Sequence, residues 1–167
     1  MEFFILALID RVGLKSLYDF RQQAGLEPGG IRSAMKTLEE KQLVSRSEPG
    51  KRRRRELSAT AGGNAFLDSA WRSCLRDYPD ADAVLRAAFV AWVMETPAAA
   101  AGYLNHMSQS RREGAQNMKS EADHLKSSQM EPLSSYGWMR ASNEAHRRGA
   151  EGEAFLSMSR FIEEHFK

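Results

Sequence analysis

The sequence predicts a mainly α-helical fold with one small two-stranded β-ribbon. Apolar residues recur at helical spacing along most of the 167 residues. One stretch departs from this spacing: a turn signal at residues 48–51 separates two short strand candidates, Leu43–Arg46 and Arg52–Leu57. Apolar residues make up 42% of the chain and charged residues 28%, which is the composition of a globular protein rather than a disordered one.

Two short helices are predicted at the start of the chain. The first, Phe3–Val12, is apolar nearly all round, so neighbouring elements must cover it on more than one side, and Gly13 ends it. Ser16 and Asp19 have the S-x-x-D spacing of a capping box. This spacing predicts a second helix that ends near Gly25.

A third helix is predicted to begin at Pro28, because a proline at the first helical position lacks only a donor that the helix does not use there. Its apolar residues lie three and four apart and form one stripe: Ile31, Ala34, Met35 and Leu38. The opposite face carries Gly29, Gly30, Arg32, Ser33, Lys36 and Thr37. We therefore expect one face of this helix in the core and a polar face in solvent.

The second half of the chain has no strand pattern. Ser58 is predicted to cap a fourth helix, and a break at residues 78–80 (YPD) marks a domain boundary between residues 1–77 and residues 78–167. Three further helices are predicted, over Ala81–Glu95, from Thr96 and Pro97 to about Ser127, and from about Tyr136 to Phe166. The second domain is therefore expected to be all helical.

The first of the two long helices carries a narrow apolar seam. Its members are Leu104, Met107, Met118, Ala122 and Leu125, with Gly114 or Ala115 in the middle. A helix of about 30 residues is ~45 Å long, which is more than a domain of this size easily covers. The sequence therefore predicts a homodimer in which two copies pack their helices together.

Basic residues are concentrated in the first half of the chain. Residues 1–75 contain 13 Lys and Arg against 9 Asp and Glu, a net charge of +4, whereas residues 76–167 have a net charge of −2. Five consecutive basic residues follow the predicted turn of the ribbon: Lys51, Arg52, Arg53, Arg54 and Arg55. Such a tip suits the phosphates of a nucleic acid, and the alternative is an ordinary solvated charge run.

Three helices followed by a ribbon with a basic tip is the element order of a winged helix-turn-helix, in which the third helix meets double-stranded DNA in the major groove. On that helix Arg32 and Lys36 suit guanine or phosphate. The hydroxyls of Ser33 and Thr37 suit base edges or the backbone. The two glycines at its start expose amide donors that suit a phosphate. The alternative is a plain solvent-facing helix.

Several of these segments together resemble one family. The run EPGGIRSAMKTLEEKQLV (residues 27–44), a basic hairpin and the run LSATAGG (residues 57–63) are similar to the PadR family of bacterial transcriptional regulators. Residues 134–165, after a long helix, resemble the C-terminal segment of the larger PadR subgroup. The resemblance covers nearly the whole chain and is strongest over residues 27–63.

The resemblance implies a dimeric winged-helix repressor or activator, whose dimer contacts come from the C-terminal helices and often from the first helix. Tyr18 matches a position near the DNA backbone, and residues 51–54 match the wing. The positions that match the recognition helix are Gly29, Arg32, Ser33 and Lys36. Two departures stand out: Arg32 replaces a frequent tyrosine, and Arg54 with Arg55 replaces a usual aromatic pair.

The tryptophans are candidates for an effector pocket. Regulators that resemble this chain sometimes bind flat aromatic compounds between helices, and Trp71 lies on the helix after the wing, which makes it the first candidate for contact with a small aromatic effector. Trp92 and Trp138 are further candidates. The alternative is that all three anchor the core or an interface.

Other functions are not supported by the sequence. The single Cys74 forms no intramolecular disulfide and fits a reducing cytoplasm, and the apolar run over residues 3–9 is too short to span a bilayer. We expect no catalytic residues and no cofactor. We also expect no metal site, because His106 and His124 lie ~27 Å apart on one helix and cannot bind one ion within a chain. Two rivals to a DNA-binding regulator remain: a winged helix that binds an acidic protein, and a helical dimer that binds a small molecule and has weak DNA affinity.

Overall fold

The computed structural model describes residues 1–48, 55–127 and 132–166. The helices are α1 (Glu2–Asp10), α2 (Leu17–Ala24), α3 (Pro28–Glu40), α4 (Ala61–Ala70), α5 (Ala81–Met94), α6 (Pro97–Ser127) and α7 (Pro132–His165), and a 3-10 helix (Trp71–Cys74) follows α4. The strands are β1 (Val44–Arg46) and β2 (Leu57–Ala59), which form one antiparallel sheet. The prediction of a mainly helical fold with one small two-stranded sheet is confirmed at this level.

The chain forms two compact units, Met1–Ala99 and Ala100–Lys167. The predicted domains, residues 1–77 and 78–167, divide the chain earlier and stay a prediction about separately acting domains. By packing, α5 belongs to the first unit, because it lies against α1.

Helix α1 forms the centre of the first unit. Six consecutive residues, Phe4–Ile9, are buried, and α3, α4, α5 and β2 surround the helix. The ring of Phe4 meets that of Phe89 on α5 edge to face, with 5.3 Å between the centroids. The ring of Phe3 stacks on that of Phe66 on α4, at 5.0 Å. The prediction that several elements cover α1 is confirmed.

Local signals at the starts of α2 and α3 act as predicted. The backbone N–H of Asp19 donates to the Oγ of Ser16 at 3.2 Å, which caps α2. Gly25 ends α2 in the left-handed region at φ 61°, and Pro28 is the first residue of α3. The predicted apolar stripe of α3 is buried in full.

The ribbon is anchored on the helices beside it. Val44 pairs with Ala59, and Arg46 pairs with Leu57. The backbone N–H of Leu57 also donates to the carbonyl of Lys15 at 2.9 Å, so the connection between α1 and α2 borders β2 on its other side. The ribbon is thereby tied to the start of α2.

Two predictions around the ribbon were wrong. The second strand begins at Leu57 and runs to Ala59 instead of ending at Leu57, and the part of the predicted strand over residues 52–54 lies outside the described residues. Ser58 therefore lies in β2 and bonds to the hydroxyl of Ser45 across the strands at 3.0 Å. The cap of α4 is Thr60, whose Oγ1 accepts from the N–H of Gly63 at 3.0 Å.

The two helix breaks that precede α5 and α6 lie at the positions predicted from the sequence. The carboxylate of Asp80 accepts from the N–H of Asp82 at 3.2 Å and caps α5. The Oγ1 of Thr96 accepts from the N–H of Ala99 at 3.1 Å, next to Pro97 at the start of α6. In the described ranges no helix is both long and apolar enough to cross a membrane.

Helices α6 and α7 form an antiparallel hairpin, which is the second unit. At its one end the Oγ of Ser159 donates to the carbonyl of Ala101 at 2.9 Å, and at its other end Leu125 contacts Gly137. Helix α7 of the same chain therefore covers α6 over most of its length. The length of α6, which led the sequence argument to a homodimer, does not by itself require a second copy.

A buried ion pair lies in the middle of this hairpin. Arg111, 5% exposed, donates from Nε to a carboxylate oxygen of Glu151 at 2.9 Å, and the second oxygen accepts from Arg147 at 2.5 Å. Arg147 and Arg148 both donate to Glu144 at 2.7 Å, and these hydrogen bonds lower the pKa of Glu144 to about 2. Of these hydrogen bonds, the one between Arg111 and Glu151 joins the two helices, and the others lie within α7 and hold Glu144 and Glu151 in place. A shift of either helix along the other would break the Arg111–Glu151 pair, so this pair favours the observed register.

Candidate nucleic-acid interface

The solvent face of α3 is formed by small and basic residues. Gly29, Arg32, Ser33 and Lys36 are all exposed, while the opposite stripe has Leu38 fully buried. The first three turns of the helix contain no acidic side chain. Its two acids, Glu39 and Glu40, come at the end. The polar face of α3 therefore carries two cations, Arg32 and Lys36, and the exposed carboxylate of Glu27 directly precedes the helix.

The two basic residues of this face differ in their partners. The ammonium of Lys36 lies 3.8 Å from the carboxylate of Glu40, and both side chains are more than 60% exposed, so the pair is weak. Arg32 has no ion-pair partner within the described part of the chain. Both cations are thus available to an anionic partner.

The two glycines at the start of α3 border open space. A Cβ placed on Gly29 would meet no atom within 4 Å, and one on Gly30 would meet only the end of the Met1 side chain at 3.6 Å. Packing therefore does not require glycine at either position. The amides of this first turn are accessible to a ligand that approaches closely.

Thr37 lies at the edge of the predicted surface. It is half-buried, and its hydroxyl donates to the carbonyl of Ser33 one turn earlier, at 3.2 Å. Thr37 and Gly30 line an open groove together with Ser73 and Arg76, beyond the end of α4. The hydroxyl of Thr37 is therefore less available to a partner than that of Ser33.

The ribbon lies beside the C-terminal end of α3. Arg46 at the end of β1 forms an ion pair with Glu39, and the N–H of Leu43 donates to the carbonyl of Leu38 at 2.9 Å. Arg55, just before β2, is exposed. The other four basic residues predicted for the ribbon tip, Lys51, Arg52, Arg53 and Arg54, lie outside the described residues.

Tyr18 and Trp71 have opposite environments. Tyr18, in the first turn of α2, is 66% exposed, so its ring and hydroxyl are open to solvent. Trp71 is only 5% exposed, and the guanidinium of Arg72 lies 4.8 Å from the centroid of its ring. This burial favours the alternative of a core anchor, and a role in effector binding stays a prediction.

A cavity that the sequence did not indicate lies in the first unit. It has a volume of about 640 Å³ and is bounded by α1, the turn between α2 and α3, and α5. Its wall does not include Trp71. In the sequence, the one feature that relates to this cavity is the Gly25-Leu26-Glu27 turn, which forms part of its wall. The turn is too short for residue spacing to predict which way its side chains face.

In the described part of the chain, neither Cys74 nor a cluster of metal-binding side chains offers a site for chemistry. Burial raises the pKa of the Cys74 thiol to about 11, so the thiol is protonated at neutral pH and is a poor nucleophile. Across residues 1–48, 55–127 and 132–166, no three His, Cys, Asp or Glu side chains are grouped to hold a metal ion.

Comparison with protein-family models, with curated proteins and with solved structures finds no match to this chain. The PadR resemblance therefore stays a prediction from the sequence motifs, and the function is inferred from the geometry of α3 and the ribbon.

Proposed function

We propose that this protein is a sequence-specific DNA-binding transcriptional regulator, in particular a repressor, that acts as a homodimer in the cytoplasm. In this proposal residues 1–77 form a winged helix-turn-helix and residues 78–167 supply the dimer contacts. The observation that carries it is the solvent face of α3, where Arg32, Ser33 and Lys36 are exposed on a helix whose other face is buried.

An α-helix fits the major groove of B-DNA, where each base pair presents a distinct set of donors and acceptors. Arg32 and Lys36 carry the donors that guanine accepts, and the hydroxyl of Ser33 both donates and accepts. The absence of acids from the first three turns of α3 is consistent with close approach to phosphates. We therefore assign base reading to this half of α3.

The ribbon has a different part in the proposal. Its pairing with α3 through Arg46 and Glu39 places its base next to the reading helix. Arg55 and the basic residues before it would neutralise phosphates, which releases counterions and gives affinity without sequence preference. Tyr18, exposed at the start of α2, would contact the sugar-phosphate backbone of the DNA, on the other side of the α2–α3 turn from α3.

The homodimer is supported by three large apolar residues that are exposed on α7. Tyr136, Met139 and Phe161 are 63%, 53% and 54% exposed. Their spacing places them on one face of the helix with exposed Ala150 and Ala154. This face also carries Asn143, Arg147 and Glu153. A second copy that covered these residues would remove them from water. In the proposal, the α3 helices of the two copies read the two half-sites of an inverted repeat.

The proposal is tested by fluorescence anisotropy of a labelled random-sequence duplex at low salt, followed by selection of bound duplexes from a random pool. We expect salt-dependent binding of the random duplex and enrichment of an inverted repeat in the pool. Arg160→Ala is a control, since Arg160 is exposed on α7 and outside the proposed surface. No binding at low salt would refute the proposal and favour the acidic-protein partner; binding without an enriched repeat would refute sequence-specific recognition.

A further inference from the structure

We propose that the cavity between α1, the α2–α3 turn and α5 binds a small organic cation that has an apolar, aromatic body. Its volume of about 640 Å³ lies within the range of ~300–1,000 Å³ typical of small-molecule sites. All of its lining residues belong to the first compact unit. The apolar part of the lining comes mainly from Phe4, Leu8, Val12, Leu26, Leu85 and Phe89.

This lining favours a ligand with an aromatic body. Phe4 and Phe89 hold each other edge to face, with 82° between their planes, so two rigid rings border the cavity. Aromatic walls gain from contact with a further ring and attract a cation when the site is shielded from water. The cavity is open to solvent on one side, where Val12 is 45% exposed.

The charged residues at the opening set the sign of the ligand. The carboxylates of Glu27 and Asp82 line the cavity, and both are exposed with no ion-pair partner in the part of the chain that the structure describes. Among the described lining residues, the cationic side chain is Arg86, and its guanidinium is already held by Asp80 at 3.3 Å. These four side chains have a net charge of −2. The α-amino group of Met1 also belongs to the lining, and burial lowers its pKa, so the opening stays net negative even when this group is protonated.

An organic anion in the same place would lie beside two carboxylates, and the α-amino group of Met1, the further cation in the described lining, has a lowered pKa, which disfavours an anion. A cation with a comparable apolar body would gain both the apolar contacts and the attraction of Glu27 and Asp82. The lining therefore selects a cation over an anion of the same shape.

The site is coupled to the start of α3. Gly25, Leu26 and Glu27 form one wall, and Glu27 is the extended residue that directly precedes α3. Gly30, in the first turn of α3, also lines the cavity. A bound ligand would thus contact the turn that determines where α3 begins. For its consequence this step rests on the proposed function, since a ligand that repositions α3 would change DNA affinity.

The test uses isothermal titration calorimetry of the full chain with tetraphenylphosphonium, and with tetraphenylborate as an anion of nearly the same shape. We expect the cation to bind about tenfold more tightly than the anion or better, in line with the net negative opening. Equal or tighter binding of tetraphenylborate would overturn the proposed ligand class, and no binding of either ion would overturn the site.

Two sets of variants locate the binding. Val12→Trp places a large side chain at the opening without disturbing the core and is expected to weaken cation binding about tenfold; Leu17→Trp, an equally exposed apolar position outside the cavity, is the control. Glu27→Gln with Asp82→Asn should weaken it by about threefold for each charge. Unchanged affinity in both sets would overturn the site.

The coupling is measured without DNA, by hydrogen exchange of the backbone amides of residues 26, 27 and 29–31 with and without tetraphenylphosphonium. We expect slower exchange in the bound state, and unchanged exchange at saturating ligand would overturn the coupling. Because neither calorimetry nor exchange involves DNA, failure of the protein to bind DNA would leave this result standing, and failure of the ligand site would leave the DNA proposal standing.

Discussion

Of the glycines that the structure describes, Gly63 leaves the least room for a side chain. A Cβ at this residue, in the first turn of α4, would lie 2.0 Å from the carbonyl oxygen of Leu43 and 3.0 Å from its carbonyl carbon. Both atoms are backbone, so α4 or the chain before β1 must move. The same carbonyl accepts from the N–H of Thr60 at 3.0 Å, and a displacement of either segment would lengthen this hydrogen bond.

Gly63→Ala is therefore expected to destabilise the protein by about 2–4 kcal/mol. Overpacking of this kind costs roughly 1–3 kcal/mol, and the strained hydrogen bond adds about 1 kcal/mol. For a unit of this size the melting temperature should fall by roughly 10 °C or more. Urea unfolding followed by circular dichroism, together with a thermal melt, measures both quantities.

The neighbouring glycine is a matched control. A Cβ on Gly62 would meet only the Oγ1 of Thr60, at an ordinary 3.7 Å. Alanine favours a helix over glycine, so Gly62→Ala should stabilise the protein by up to about 1 kcal/mol. Equal effects of the two substitutions, or a loss below about 1 kcal/mol at Gly63, would refute the argument from close approach.

Three further outcomes are expected. Arg111→Met should lower the free energy of unfolding by about 2–3 kcal/mol in urea titrations, less than the roughly 3–5 kcal/mol for a fully unpaired buried charge, because Arg147 still holds Glu151; no loss would contradict the register role. Since the pKa of Glu144 is lowered to about 2, its contribution to stability is complete above about pH 4.5 and is lost as the pH falls towards 2, so Glu144→Gln should flatten the decline of the melting temperature in that window; an unchanged decline would contradict this. Lys36→Ala should change the preference among selected duplexes, whereas Arg55→Ala should weaken all of them and reduce the salt slope by about 0.9; the same uniform loss in both variants would contradict the assigned roles.

Local signals predicted where the helices begin. Ser16, Pro28 and Thr96 act through hydrogen bonds or dihedral angles within four residues, so their effect is present in the sequence itself. The polar face of α3 followed from the same periodicity that predicted its buried stripe. What these residues contact outside the chain is a separate question, which the proposed DNA experiments address.

Features that depend on distant residues were not predictable. Ser58 has the side chain of a helix cap, but the pairing of β2 with β1 extends the strand through it and leaves the cap to Thr60. Arg111 interrupts the apolar seam of α6, and its partner Glu151 lies 40 residues away. Likewise, the cavity beside α1 arises where three separate segments meet.

In the first unit, the backbone hydrogen bond from the N–H of Leu57 to the carbonyl of Lys15 connects two surface elements, the ribbon and the segment before α2. It restrains the motion of the base of the ribbon relative to this segment. Segments that are already ordered lose little conformational entropy when a partner settles across them. A ligand that spans α2 and the ribbon would therefore lose less of its contact energy to ordering these segments than it would if they were not joined. Lys15 contributes through its backbone carbonyl, so this contribution does not depend on its side chain.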